Sequence, residues 1–226
     1  SLYETYINPA AFAATHNPYS KPLKFDIDTR FEGNTALMLA AKNGHYATCK
    51  YLIQCGAKVN LLNNLGRAAI RLAAAGGYFE IVRMLAEEAN ADIDTRSFAG
   101  FTPLYAACER GFVEVIKYLI ERGADVKIKT AVNGPIHIAA EHDHLHVVKA
   151  LVNAGADVNH KGLRGETALH FAIQKCNEQI AEYLITHGAD VNSKSQSYAY
   201  YSFTCRGVSP LHIACDRGNV RIVEML

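Results

Sequence analysis

Short apolar clusters at helical spacing recur along the chain, and most of them are closed by a glycine. The pattern is complete between Gly100 and Lys127. Leu104, Ala107 and Cys108 form a small apolar face. Thr102 is placed to cap that helix with its hydroxyl, and Pro103 suits the first helical position, where no N–H is needed. Gly111 ends the helix by taking a left-handed conformation cheaply. Val115, Ile116, Leu119 and Ile120 then recur at three- and four-residue spacing, and Gly123 closes a second helix. The stretch predicts two short helices and the turns that punctuate them.

The same pattern returns in register along the chain. It reads Gly33-Asn-Thr-Ala-Leu-Met-Leu-Ala-Ala-Lys-Asn-Gly44, then Gly66-Arg-Ala-Ala-Ile-Arg-Leu-Ala-Ala-Ala-Gly-Gly77. Downstream it reads Pro135-Ile-His-Ile-Ala-Ala140, Gly165-Glu-Thr-Ala-Leu-His-Phe-Ala172 and Ser209-Pro-Leu-His-Ile-Ala-Cys215. Gly-Ala-Asp-Val recurs at Gly123, Gly155 and Gly188. Gly33, Gly66 and Gly100 are spaced by 33 and 34 residues. A period near 33 with a Thr-Pro-Leu-His-x-Ala motif resembles the ankyrin repeat. The resemblance covers residues 24–226. It implies an all-α solenoid of about six helix-turn-helix repeats joined by β-hairpin fingers. The expected repeats are 31–60, 61–94, 95–127, 128–159, 160–192 and 193–226, the last truncated. Residues 1–23 match no repeat and read as an N-terminal cap or the tail of a preceding segment. Because Leu226 falls within a second helix, further repeats or another domain are expected beyond it.

Composition narrows the function classes. The formal net charge is +1, so no bulk electrostatic case for nucleic acid exists. No apolar run approaches the length of a membrane span. Ser1 is not a natural start, and no signal peptide is visible. Of six cysteines, Cys108 and Cys215 fill a small-residue core slot taken by Ala elsewhere, and Cys49 fills an apolar slot. Buried free Cys acts as a small hydrophobe, so a reduced, intracellular and most simply cytoplasmic protein is expected.

Several positions depart from the pattern. Gly134 replaces the capping Thr, which weakens that cap by roughly 1 kcal/mol at most. Cys176 stands where a helix-ending Gly is expected. The finger before Ser209 is nine residues longer than its counterpart before Thr167.

Candidate chemistry is sparse. His137, His142, His144 and His146 resemble a metal cluster, but His137 fills the motif's His slot, as His170 and His212 do. A turn at Asp143 keeps His142 and His146 off one helix face. Cys205 and His212 lack a third orienting group. Ala74-Ala-Gly-Gly77 ends a helix rather than opening one, so it lacks anion-binding geometry. No catalytic residue, metal site or cofactor is expected.

Binding is the expected activity. The resemblance implies partners held by fingertips and by the exposed concave face of the first helices. The two residues before each helix-ending position give two rows. One runs Lys42, Ala75, Glu109, Glu141, Gln174, Asp216, and the other Asn43, Gly76, Arg110, His142, Lys175, Arg217. From the third repeat onward the second row is basic or titratable. It reads either as a groove for an extended peptide with acidic or phosphorylated positions or as a solvated face. Phe98, Phe101 and Tyr105 beside the small Ala75 and Gly76 form a candidate notch for a partner's side chain, with a purely structural role the alternative. Tyr198, Tyr200, Tyr201 and Phe203 crowd the long finger, either as an interface or packed back onto repeats five and six. The expected function is a protein-interaction scaffold. The alternatives are the targeting arm of a larger enzyme, ligase adaptor or secreted effector, and a structural spacer.

Overall fold

A computed structural model describes residues 26–127, 133–196 and 207–226. Twelve helices form among them. The first helices of successive pairs are α1 (Ala36–Lys42), α3 (Ala69–Gly76), α5 (Pro103–Arg110), α7 (Pro135–Glu141), α9 (Ala168–Gln174) and α11 (Pro210–Arg217). Their partners are α2 (Tyr46–Gln54), α4 (Phe79–Glu87), α6 (Val113–Glu121), α8 (Leu145–Asn153), α10 (Glu178–Thr186) and α12 (Val220–Met225). Each first helix packs on its own partner and on the next first helix, and the second helices pack in their own row. The result is two layers of helices with a core running between them.

The first helices are short and rich in alanine because neighbours press on them from both sides. Ala73, Ala107, Ala139 and Ala172 are fully buried, as are Leu104, Leu169 and Ile70. The second helices bury one stripe only, such as Val115, Ile116 and Leu119 on α6. Thr35 and Thr102 cap their helices by accepting from Met38 N–H (3.3 Å) and Tyr105 N–H (3.2 Å). Gly134 has no side chain to offer.

The fingers differ from the expected hairpins. Among the described residues they are tight turns closed by one or two backbone bonds, with only isolated bridges at Phe31–Asn34 and Ser195–Val208. In the third repeat Ser97 N–H donates to Phe101 O, and Gly100 N–H to Ser97 O. Four or five residues close such a turn before a strand ladder can form.

Two devices join one repeat to the next. The first uses the motif's His. His137 is fully buried, and its Nδ1 accepts the Gly134 N–H at 3.0 Å. The proton therefore sits on Nε2, which donates to the carbonyl of His160 in the next repeat at 2.8 Å. His170 repeats this with Thr167 N–H and Val208 O. A charged ring would place a second proton against the N–H donor. Burial pushes the His137 pKa down to about 4 and lowers that of His170 as well.

The second device sets the residue opening a second helix against the turn that ends the previous first helix. A Cβ on Gly44 would lie 2.5 Å from the Tyr78 ring, and one on Gly77 would lie 2.6 Å from Phe112. His144 covers Gly111 in the same way. Where glycine gives way to Asp143, at φ 62°, Asn177 instead donates to the Asp143 carboxylate. Cys176 likewise takes positive φ, at 57°, without glycine's freedom.

Burial agrees with the sequence for Cys49 and Cys108, and desolvation raises both thiol pKa values. Cys215 corrects it: this residue is exposed, because α11 has no following first helix against it in this sequence. All five described cysteines are free.

Two predictions follow from these joints. Gly77→Ala and Gly123→Ala both place Ala at positive φ, costing about 1 kcal/mol each. Only the former meets an aromatic ring. Urea unfolding is expected to show Gly77→Ala as the more destabilised by at least about 1 kcal/mol. The second concerns pH. Unfolded imidazoles titrate near 6.5. Below that value the unfolded chain binds protons that buried His137 refuses until about pH 4. Stability is therefore full above about pH 6.5 and is lost as pH falls toward 4. Melting curves are expected to show this loss, with a shallower slope in His137→Gln.

Candidate functional site

The exposed ends of the first helices run from Lys42 and Asn43 on α1 onward, and the basic row begins at α5. Glu109 and Arg110 end this helix, and both side chains are exposed. Gly111 follows in the left-handed conformation at φ 74°, which turns the chain away and leaves them at the rim. Arg110 joins none of the ion pairs formed among the described residues. One repeat on, His142 is exposed and its ring stacks on His144, centroids 6.2 Å apart. His144 Nε2 meets the Glu109 carbonyl oxygen at 3.3 Å, tying the two repeats together at this rim. Lys175 then reaches back across the repeat boundary to Glu141, at 4.0 Å. Arg217 closes the series on α11, also exposed. First helices of neighbouring repeats are in contact, so the four basic positions form one row. The bridge to Glu141 is long and half exposed, so it neutralises Lys175 only weakly.

The aromatic trio is divided by the structure. Tyr105 is only 6% exposed and stacks on Phe101, ring centroids 4.3 Å apart. Burial pushes its phenol pKa up to about 12. Tyr105 and Phe101 thus form a floor, and neither ring stands free. Phe98 is 77% exposed at the fingertip. Its backbone N–H donates to Leu65 O at 3.2 Å, and its ring lies over Gly66. Phe31, Leu65 and Leu163 are exposed apolar residues of other fingers. The sequence reading passed over them because they fall outside the motif. Tyr198, Tyr200, Tyr201, Phe203 and Cys205 lie outside the described residues.

Arg71 was also missed. It occupies, in the second repeat, the slot held by His137 and His170, yet it is 6% exposed. Its Nε and that of Arg67 are buried without a hydrogen-bond partner. Burial lowers the Arg71 pKa to about 10, Arg67 pushes it further down, and Glu109 and Tyr105 oppose the shift. The legible signal was a charged residue inside the run Ala-Ile-Arg-Leu-Ala. No group of three or more His, Cys, Asp or Glu is arranged to hold a metal among the described residues. No helix there is long and apolar enough to cross a membrane.

A family model for ankyrin repeats in three copies matches residues 10–97, 37–130 and 130–195, and a single-repeat model matches 206–226. The chain belongs to the ankyrin-repeat family. The human ASB11 ankyrin repeat domain superposes with a TM-score of 0.74 at 25% identity, covering 85% of this chain and 82% of that one. Alpha-latroinsectotoxin-Lt1a of Latrodectus tredecimguttatus is 40% identical over 96 residues, 42% of this chain and 7% of the toxin. The chicken (Gallus gallus) nuclear factor NF-kappa-B p105 subunit is 30% identical over 194 residues, 85% of this chain and 16% of that protein. The chain thus spans a small part of these longer curated relatives. Ankyrin repeats are general protein-interaction modules, and the fold is typically a non-catalytic scaffold.

The divided trio predicts divided effects. Tyr105→Ala is expected to lower stability by about 3 kcal/mol, as for other buried aromatics. Phe98→Ala is expected to change it by less than about 0.5 kcal/mol. Urea unfolding of both variants checks this.

Proposed function

We propose that this ankyrin array recruits a partner protein by holding an extended, acidic or phosphorylated segment along the row Arg110, His142, Lys175 and Arg217. Phe98 would grip an apolar side chain beside that row, over the floor made by Phe101 and Tyr105. The observation that carries the reading is the run of exposed basic side chains on consecutive first helices, with the guanidinium of Arg110 outside every ion pair among the described residues. A repeat spacing of about 10 Å matches three residues of an extended chain, so acidic positions recurring every third residue would meet the row. Guanidinium groups favour carboxylate and phosphate partners. The array has no catalytic role in this reading, and it would act inside the cell.

The same surface would serve the targeting arm of a larger enzyme, ligase adaptor or secreted effector. The small share of its longer relatives that the chain spans is what favours that reading.

Selection from a random peptide library tests the proposal. The chain is expected to enrich sequences with spaced Asp or Glu, and binding should weaken with salt. Arg110→Glu combined with Lys175→Glu is expected to weaken those peptides at least tenfold while leaving the melting temperature within a few degrees. Enrichment of neutral peptides, or equal binding by the variant, overturns it.

A further inference from the structure

The junction of repeats two and three holds two arginines that form no ion pair among the described residues, with the Glu109 carboxylate acting on Arg71 from beyond ion-pair distance. Arg71 is 6% exposed, and Arg67 is half-buried. The Nε of each is sealed from solvent and unpartnered. Neither guanidinium takes part in an ion pair among the described residues. The terminal nitrogens are not among the sealed, unpaired atoms, so the open end of each fork is the end a ligand would meet. A cation removed from water without an anion is costly, and unpaired buried polar groups are rare in folded proteins.

The place is set by the repeat. His137 and His170, in the same slot, reach forward to carbonyls of the following repeat. Arg71 therefore lies at the corresponding joint with repeat three. Thr95, which corresponds there to His160, has a buried hydroxyl that is also unpartnered. The Phe98 ring lies over Gly66, the chain neighbour of Arg67, and buried Tyr105 fills the same slot as Arg71 one repeat on.

We propose that Arg67 and Arg71 form an oxyanion subsite at this junction, which receives one carboxylate or phosphoryl group of the bound segment. It lies at the opening of α3, whereas the basic row runs along the closing ends of the first helices, and it rests on the proposed function for the source of its ligand. Planar guanidinium forks suit both anions, and the burial of Arg71 would strengthen the contact by lowering the local dielectric.

Acetate and inorganic phosphate are the probes. The Nε–Hε signals of Arg67 and Arg71 are followed by NMR during titration of each, at ionic strength held constant with chloride. Melting temperatures of the protein, Arg71→Met and Arg67→Met are compared in the same buffers. Both arginine signals are expected to shift with one shared dissociation constant, and the anion should raise the melting temperature of the unaltered protein only. The anion with the lower constant names the group. In chloride, Arg71→Met is expected to melt no lower than the unaltered protein, because it removes a buried cation that forms no ion pair and whose Nε has no hydrogen-bond partner. Static Nε signals, or the same anion-dependent rise in both variants, overturn the proposal. If no acidic peptide is selected but the signals shift, the groove reading falls and the subsite stands. If acidic peptides bind Arg71→Met undiminished and the signals stay fixed, the subsite falls and the groove stands.

Discussion

An imidazole that has to remain neutral holds the second half of this array together. In His137 one nitrogen accepts a backbone N–H of its own repeat, and the other donates to a carbonyl of the next. The ring thus replaces two backbone hydrogen bonds that a solenoid without continuous strands leaves unmade. Side chains of the turns supplement it. Asn60 accepts from Asp92 N–H and Asn159 from Asp190 N–H, each one repeat ahead. Because each repeat touches only its neighbours, such joints supply much of what keeps the array in register.

These joints leave the rims of the first helices free to vary. Positions such as Arg110 and Lys175 are exposed at the ends of their helices, so the fold constrains their chemistry little. Arg71 is different: its charge lies inside a joint where other repeats keep a neutral ring. Phe101 and Tyr105 sit between these cases. Their stacked pair is part of the core on one side and the floor of an exposed face on the other.

Periodicity carried most of the fold into the sequence. Helix pairs, capping Thr residues and helix-ending glycines all follow from local chemistry repeated at a fixed spacing. The turns were overread as hairpins, since a turn of four or five residues looks the same on paper whether or not a ladder follows. The exposure of Cys215 was missed because a motif slot records what a position usually meets, not whether a neighbour is there to meet it. The site was legible only as rows of exposed charge. Tyr105's burial and the lack of any partner for Arg71's Nε depend on how long side chains pack across repeats, which spacing does not encode.

The His slot changes character midway, from Met38, Arg71 and Tyr105 to His137, His170 and His212. The covering of the first-helix turns changes nearby, from Tyr78, Phe112 and His144 to Asn177, while Asn219 in the same position donates to Glu178 at the start of α10. In these two slots the links are mainly rings over glycine turns in the first repeats and hydrogen bonds in the later ones, while polar bonds between turns, such as Asn63 to Asn34 and Asn60 to Asp92, run through the first repeats as well. Links of unlike chemistry respond to unlike conditions: apolar contacts weaken on cooling, whereas directional polar ones are broken by competing donors. A change of conditions therefore loads the joints of the array unequally, and local opening starts where the loaded kind of link is most frequent.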